Sequence, residues 1–252
     1  MTEYDAYLFD LQGYLLIENA LSPDQVGQLN AVLDRRIVDA GVADAPTHRF
    51  LDLLTWGQPY LDLIDQPTVL PYLEALMGPK VRLDHLYLDI IRAGLGPIGS
   101  RLHGGGASFD PTQYYRFDGD GMHCGLTAVA YNLRDVGRND GGFGCVPGSH
   151  KSNLPFPADH CDMSTQVPSF VSRVTGPAGT AIVFTEALTH GTLPWTGAGE
   201  RRTIFYKYSP HFVSWSANYP TVTDYPGLTE RQEAMLEPPN ARYLNRHPDR
   251  GI

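Results

Sequence analysis

The chain has 252 residues, and its 28 acidic and 19 basic side chains give a formal net charge of −9. This acidic balance argues against a general surface for nucleic acid or anionic membrane. No apolar run approaches the length of a membrane span and no secretory signal opens the sequence, so we expect a cytoplasmic protein. The three cysteines lack metal-ligand spacing and are predicted to be reduced thiols. The length fits one domain over residues 1–252.

Residues 1–80 are predicted to form a mainly helical support for the rest of the chain. Residues 7–18 suggest a bent strand or strand pair around Gly13. Ser22, followed by a proline and a capping-box glutamine, predicts a helix start, and Gly41 predicts its end. A second helix is predicted over residues 67–77.

The residues from 81 to 215 have the pattern of a β region. Short segments rich in β-branched and aromatic residues alternate there with turn sequences. These segments are Val81–Ile91 and residues 126–133, 169–174, 180–184 and 203–208. Helices followed by many short strands predict a mainly β fold with flanking helices and a jelly-roll core. Residues 216–252 are predicted to be a tail that packs on this core, with one short helix over residues 229–236.

Two histidines and an arginine suggest a metal and carboxylate site. An iron site built from two histidines and one carboxylate usually begins His-x-Asp or His-x-Glu. Here the motif is His103-Gly104-Gly105, and the third position has no side chain to offer. His190 follows an apolar strand, and Arg201, eleven residues later, opens the next predicted strand. An arginine in this place is suited to bind a planar carboxylate through two hydrogen bonds.

Together with the run Pro-Gly-Ser-His-Lys at residues 147–151, these positions resemble the phytanoyl-CoA dioxygenase (PhyH) family. The resemblance covers residues 5–215 and implies a double-stranded β-helix (cupin-like) core. It also implies an enzyme that uses Fe(II), 2-oxoglutarate and O2 on an unactivated C–H bond of a small molecule. His103 and His190 would bind iron, and Arg201 would bind 2-oxoglutarate. Strand alternation turns Arg202 to the other face, and a register shift of one would exchange the two arginines. His150 is expected to be structural or to lie at the rim of the site.

The vacancy at Gly105 leaves three alternatives open. His-x-Gly is similar to the motif of the Fe(II)/2-oxoglutarate halogenases, in which chloride fills the position of the carboxylate, so the first expectation is radical chlorination. The second is hydroxylation, with Asp110 or Glu186 as the substitute iron ligand. The third is loss of activity. A more distant alternative is a jelly roll that binds without catalysis, because a fold alone does not decide function.

The sequence says less about the substrate. His123, Trp195 and His211 are candidate substrate contacts, since they flank predicted strands. Aromatic residues expected to line the pocket are Tyr87, Phe109, Tyr114, Tyr115, Trp195 and Phe205. Basic residues expected near its mouth are Arg92, Arg101, Arg116, Lys151 and Lys207. In an acidic chain, a local basic set would favour a phosphorylated or nucleotide substrate. The oligomeric state is not predicted.

Overall fold

The computed structural model describes residues 1–104, 110–119 and 121–241. Its strands are β1 (Tyr14–Ile17), β2 (Thr47–Phe50), β3 (Val81–Ile91), β4 (Tyr115–Phe117), β5 (Met122–Cys124), β6 (Thr127–Asn132), β7 (Gly142–Cys145), β8 (Ser172–Arg173), β9 (Ala181–Thr185), β10 (His190–Leu193) and β11 (Arg201–Pro210). The helices are α1 (Glu3–Gln12), α2 (Pro23–Asp39), α3 (Gln58–Leu61), α4 (Leu70–Met77) and α5 (Glu230–Met235), with short 3-10 turns between elements.

Two antiparallel sheets make up the jelly roll. The larger has six strands in the order β1-β9-β6-β11-β3-β2, and the smaller has three in the order β10-β7-β8. Strands β4 and β5 form a separate hairpin. The predicted fold class, mainly β with flanking helices, is confirmed.

The two faces of the larger sheet belong to different cores. Along β11, Ile204 and Tyr206 point to a core shared with the helices, while Phe205 points to the space between the sheets. Strands β6 and β9 alternate in the same way, as the period of two in a strand requires. The core between the sheets contains Ala128, Ala130, Phe143, Cys145, Val174, Ile182, Phe184, Leu188 and Phe205.

The prediction for residues 7–18 is wrong in its first half. That half belongs to α1, because Thr2 forms a capping box with Asp5 and the helix runs to Gln12. Gly13 ends the helix at φ 84°, in the left-handed region that glycine tolerates. Only the second half is a strand, β1, which pairs with β9.

The other predicted elements agree with the structure to different degrees. The Ser22 cap of α2 and the strand β3 are as predicted. The helix predicted over 67–77 is shorter, since α4 begins at Leu70. The strand predicted over 169–174 is reduced to β8. Strands β2, β4, β5, β7 and β10 were not predicted, because they are short or rich in glycine and polar residues. Within the described ranges, no helix has the length and apolar character needed to cross a membrane.

Candidate active site

His103 and His190 are brought together by the backbone. They form an antiparallel bridge in which the His103 N–H donates to the His190 carbonyl at 2.8 Å, and the reverse bond is 2.9 Å. Their ring centroids are 4.3 Å apart. Gly104 makes the approach possible, since a Cβ at this residue would lie 2.5 Å from the Glu186 carbonyl oxygen. Two histidines 87 positions apart in the chain thus become neighbours.

Each of the two imidazoles directs its Nδ1 toward a backbone carbonyl oxygen. Nδ1 of His103 lies 3.1 Å from the Arg101 carbonyl oxygen, and Nδ1 of His190 lies 2.7 Å from that of Leu188. A carbonyl oxygen only accepts, so the proton of each neutral ring belongs on Nδ1 and the lone pair on Nε2. Burial lowers the pKa of His190 to about 4, so its ring is neutral near pH 7. A neutral imidazole with Nδ1 held by a carbonyl is the usual form of a metal ligand.

Glu186 places a carboxylate beside this pair. Its Oε2 lies 3.9 Å from His190 Nε2, and its Oε1 lies 2.8 Å from Lys207 Nζ. Both partners of this second contact are buried, with side-chain exposures of 5% and 11%. Burial raises the pKa of Glu186, but the charge and hydrogen bond of Lys207 and the charges of the two histidines together outweigh burial and lower the pKa to about 2. The carboxylate is therefore ionised, with one oxygen held by Lys207 and the other turned toward the histidines.

The remaining carboxylate candidate lies elsewhere. Asp110 is exposed, and its Oδ1 accepts hydrogen bonds from the backbone and hydroxyl of Thr112 and from the Gln113 backbone. Gly105, the predicted vacancy and chloride site, lies outside the described residues. In the described part of the chain, no three His, Cys, Asp or Glu side chains already form a group that could hold a metal ion. His103, His190 and the carboxylate of Glu186 therefore lie near one another without forming a closed group of ligands.

Arg201 and its neighbour separate as alternation requires. Arg202 faces the helices, where it contacts Asp34 at 2.6 Å, Glu200 at 2.5 Å and the Asn30 side chain at 2.7 Å. Arg201 is 2% exposed and points between the sheets, where its Nε and Nη1 have no hydrogen-bond partner among the described residues. Burial lowers its pKa to about 10, which still leaves it charged near neutrality. Of the two arginines, Arg201 is the one with free donors.

A cavity of about 680 Å³ opens beside the histidine pair. Its lining includes His103, Glu186 and Lys207 on the inner side. Its other walls come from β3, from the loop after β2 and from residues 215–225 beyond β11. A volume of this size suits a small organic ligand.

One wall of the cavity is built on a buried carboxylate in β3. Asp84 accepts hydrogen bonds from the backbone N–H groups of Trp215 and Ser216, at 2.9 and 3.0 Å, and pairs with Arg82 at 3.0 Å. It also contacts Nδ1 of His85 at 2.8 Å. Burial raises the pKa of Asp84, but these hydrogen bonds and charges outweigh it and lower the pKa to about 2. The ionised Asp84 therefore fixes both His85 and the loop after β11.

The sequence analysis did not identify Asp84 and His85 as part of the site. The available indication was a pair of adjacent polar residues, Asp84-His85, inside the predicted strand Val81–Ile91. Arg49 was also missed. It forms two 2.7 Å hydrogen bonds with Asp89, and its guanidinium carbon lies 3.9 Å from the centre of the Tyr87 ring.

The predicted substrate contacts do not line the cavity. His123 is half-exposed on β5 and contacts Asp118 at 3.0 Å. Trp195 is 3% exposed and packs in a small apolar cluster. His211 lies beyond this cavity, with its Nδ1 3.2 Å from the Lys80 carbonyl oxygen. None of the three lines this cavity, so a role for them in substrate contact stays a prediction.

The predicted aromatic pocket is realised only in part. Tyr87 lines the cavity, and Phe205 stacks on it with ring centroids 4.7 Å apart. Tyr114 and Tyr115 lie near the hairpin of β4 and β5, away from this cavity. Phe109 lies outside the described residues.

The predicted basic set does not assemble at the cavity mouth. Of the five basic residues predicted at the mouth, only Lys207 lines the cavity, and it is paired with Glu186. The other four are engaged elsewhere: Arg92 with Glu200, Arg116 with Asp118, Lys151 with Asp10, and Arg101 with the Ala158 backbone. The argument for a phosphorylated or nucleotide substrate therefore loses its basis.

His150 has the structural role expected of it. It is 4% exposed, its Nε2 lies 3.1 Å from the Asp10 carbonyl oxygen, and its ring meets Tyr115 edge-on at 4.6 Å. Burial lowers its pKa to about 4, so it is neutral near pH 7. The Pro-Gly-Ser-His-Lys run thus ties the sheet core to the end of α1.

The chain is similar to known proteins in sequence and in fold. Residues 104–203 match the family model described as phytanoyl-CoA dioxygenase (PhyH). An ectoine dioxygenase of Nocardia farcinica (strain IFM 10152) is 25% identical over 238 residues, covering 80% of this chain and 75% of that protein. HygX from Streptomyces hygroscopicus, with nickel and 2-oxoglutarate bound, matches with a TM-score of 0.76 and 23% identity, covering 85% of this chain and 89% of HygX. Its complex with nickel, 2-oxoglutarate and hygromycin B gives a TM-score of 0.74, at 23% identity over 90% and 95% of the two chains.

The family match includes Gly104, which packs against the segment of Glu186, and it extends through His190 and Arg201. The curated relative is a dioxygenase by name, and HygX shares the jelly-roll fold. With its paired histidines, nearby carboxylate and buried arginine, the chain is similar to the phytanoyl-CoA dioxygenase family over residues 104–203, and this likeness supports an Fe(II)- and 2-oxoglutarate-dependent oxygenase.

Proposed function

We propose that this protein hydroxylates an unactivated C–H bond of a small molecule, with His103, His190 and Glu186 as the iron ligands. The observation that carries the proposal is the position of Glu186, whose Oε2 lies 3.9 Å from His190 Nε2. Two imidazoles and one carboxylate are the ligand set of non-haem Fe(II) oxygenases. Glu186 would supply the carboxylate that the sequence lacks at Gly105.

The described residues fit iron in two further respects. The Nδ1 atoms of both histidines are occupied by backbone carbonyls, which directs each Nε2 away from the protein backbone. The two oxygens of Glu186 have separate partners, so Oε2 can bind a metal while Oε1 stays with Lys207. Lys207 would then orient the ligand as outer-shell groups do in other metal sites.

The position of Arg201 fits 2-oxoglutarate. His190 lies opposite Cys145, and Leu193 lies opposite Gly142, three residues further along the pair of β10 and β7. The Arg201 Nε is 3.5 Å from where a Cβ of Gly142 would be. Three residues of strand span about 10 Å, a distance suited to a five-carbon dicarboxylate that binds the metal at one end and the guanidinium at the other. The free Nε and Nη1 of Arg201 are the donors that its distal carboxylate needs.

Iron, 2-oxoglutarate and O2 supply the oxidising chemistry, and the chain positions the reactants. Arg201 orients the cosubstrate, and the cavity holds the substrate C–H bond next to the histidines. We place hydroxylation ahead of chlorination because Glu186 supplies the negative charge and the ligand atom that chloride would otherwise supply. The name of the curated relative, a dioxygenase, supports the same choice.

Iron affinity and product mass test this proposal. Glu186→Gln keeps the volume of the side chain, and we expect it to lower Fe(II) affinity by about tenfold or more. Asp110→Asn is the matched control and should leave the affinity unchanged. Adding Gly105→Asp to Glu186→Gln should restore iron binding, since it rebuilds the His-x-Asp motif.

The product of the wild-type enzyme should gain one oxygen atom whether or not chloride is present. A product that carries chlorine, with an isotope pattern that follows the halide supplied, would overturn hydroxylation. Loss of iron binding in Asp110→Asn together with normal binding in Glu186→Gln would overturn the ligand assignment.

A further inference from the structure

The side chains that line the cavity leave an unbalanced charge. Two cations line it within the described residues, and each already has a carboxylate partner: Arg49 with Asp89 at 2.7 Å, and Lys207 with Glu186 at 2.8 Å. Asp52 also lines the cavity, is exposed, and has neither an ion pair nor a side-chain cap hydrogen bond among those residues. The charge left over for a ligand is therefore negative.

His85 adds a directed polar atom to the same wall. Asp84 is an ionised carboxylate that only accepts, so in the neutral ring of His85 the proton belongs on Nδ1, which lies 2.8 Å away. Nε2 then carries the lone pair, and it has no partner in the part of the chain that the structure describes. His85 is 22% exposed and lines the cavity. With a single proton on the ring, placed on Nδ1, Nε2 is an acceptor for an N–H or O–H group of a ligand.

Trp215 supplies an aromatic surface next to this acceptor. Its ring centroid is 4.8 Å from that of His85, and the side chain is 53% exposed. Its backbone N–H is held by Asp84, so the same carboxylate fixes the indole and the imidazole. Tryptophan gives the strongest cation–π interaction of the aromatic side chains.

From these three features we propose that the cavity selects a cationic, amine-bearing small molecule. Asp52 would provide the opposite charge, His85 Nε2 would accept a hydrogen bond from the amine or from a neighbouring hydroxyl, and Trp215 would cover the cationic end. The inference concerns the substrate of the oxygenase proposed above and rests on it. His85 and Trp215 are recognition residues in this proposal and take no part in binding iron.

Three probes with the same ring and different charges test the proposal. These are 4-aminocyclohexanol, cyclohexane-1,4-diol and 4-hydroxycyclohexanecarboxylate, titrated calorimetrically into the full chain. We expect the amine to bind about tenfold more tightly than the diol, and the carboxylate to bind most weakly. Asp52→Asn should remove most of this preference, whereas Asp159→Asn, a change at an exposed carboxylate in the turn Ala158–His160, should leave it intact.

His85→Phe keeps an aromatic ring beside Trp215 and removes the acceptor, so it should weaken binding of the amine by about fivefold. Intrinsic fluorescence locates the site, because Trp56 and Trp195 are buried and Trp215 is exposed. Equal binding of the three probes, or an Asp52→Asn effect no larger than that of Asp159→Asn, would overturn the proposal.

Titrations with and without anaerobic Fe(II) and 2-oxoglutarate separate this proposal from the proposed function. Normal uptake of iron and 2-oxoglutarate without a preference for the amine would overturn the substrate class alone. A preference for the amine in a protein that binds neither cofactor supports the substrate class and would overturn the proposed oxygenase site.

Discussion

Replacing Arg201 by methionine should make the unliganded protein more stable and deprive it of 2-oxoglutarate binding. The buried Nε and Nη1 of Arg201 have no hydrogen-bond partner among the described residues, and the nearby Asp89 is already held by Arg49 in two hydrogen bonds. A buried polar group left without a partner costs about 1–3 kcal/mol. Methionine has a similar length and no polar N–H group, so the variant avoids this cost.

We expect the free energy of unfolding of Arg201→Met, measured by urea denaturation without ligands, to exceed that of the wild type by about 2 kcal/mol. In a chain of this size, such a gain raises the Tm by about 4–8 °C. In protein that already holds Fe(II) under anaerobic conditions, 2-oxoglutarate at about 100 times the Kd of 2-oxoglutarate should raise the free energy of unfolding of the wild type by about 2.7 kcal/mol. The same addition of 2-oxoglutarate should leave the variant unchanged.

Arg202→Met is the matched control for this experiment. Arg202 is paired with Asp34 and Glu200, so its replacement leaves these groups without a partner and should destabilise the protein by about 1–3 kcal/mol. It should not alter the stabilisation by 2-oxoglutarate, since Arg202 faces the helices. If Arg201→Met lowers the stability as Arg202→Met does, or if 2-oxoglutarate still stabilises it, the reasoning about unsatisfied donors is wrong.

Three further predictions concern the framework. Lys207→Met leaves the buried charge of Glu186 unpaired and should lower the free energy of unfolding of the metal-free protein by about 3–5 kcal/mol. The double variant Lys207→Met with Glu186→Gln should recover most of this loss, as measured by chemical denaturation. The pKa of Asp84 is lowered to about 2 in the folded protein. Its contribution to the free energy of unfolding is therefore complete above the unfolded pKa of about 3.9 and is lost as the pH falls through about 2. In urea titrations at decreasing pH, the free energy of unfolding should fall less steeply for Asp84→Asn than for the wild type. Gly13→Ala should lower the free energy of unfolding by about 1–2 kcal/mol or more, because φ at this residue is +84° and the new Cβ would lie 2.6 Å from His150 Nδ1. An unchanged free energy of unfolding would show that the end of α1 can shift to make room for the methyl group.

Local patterns in the sequence were sufficient for several elements. The Ser22 cap and the capping-box residues predicted the start of α2, and the alternation of β-branched and aromatic residues predicted β3 and the middle of β11. The same alternation predicted that Arg201 and Arg202 point to opposite faces. These features depend on neighbours within a few residues, so the sequence alone determines them.

The arrangement of the site depends on contacts that no local pattern carries. The partner of His103 is His190, 87 residues later, and only the pairing of their backbones places the two rings 4.3 Å apart. The sequence left both Glu186 and Asp110 as candidate ligands. Folding turns Glu186 inward onto Lys207 and leaves Asp110 in an exposed turn. By itself the sequence determined the fold class, the likeness to the family and the candidate histidines and arginine; the tertiary structure decided which carboxylate lies beside them, because that choice is made by long-range packing.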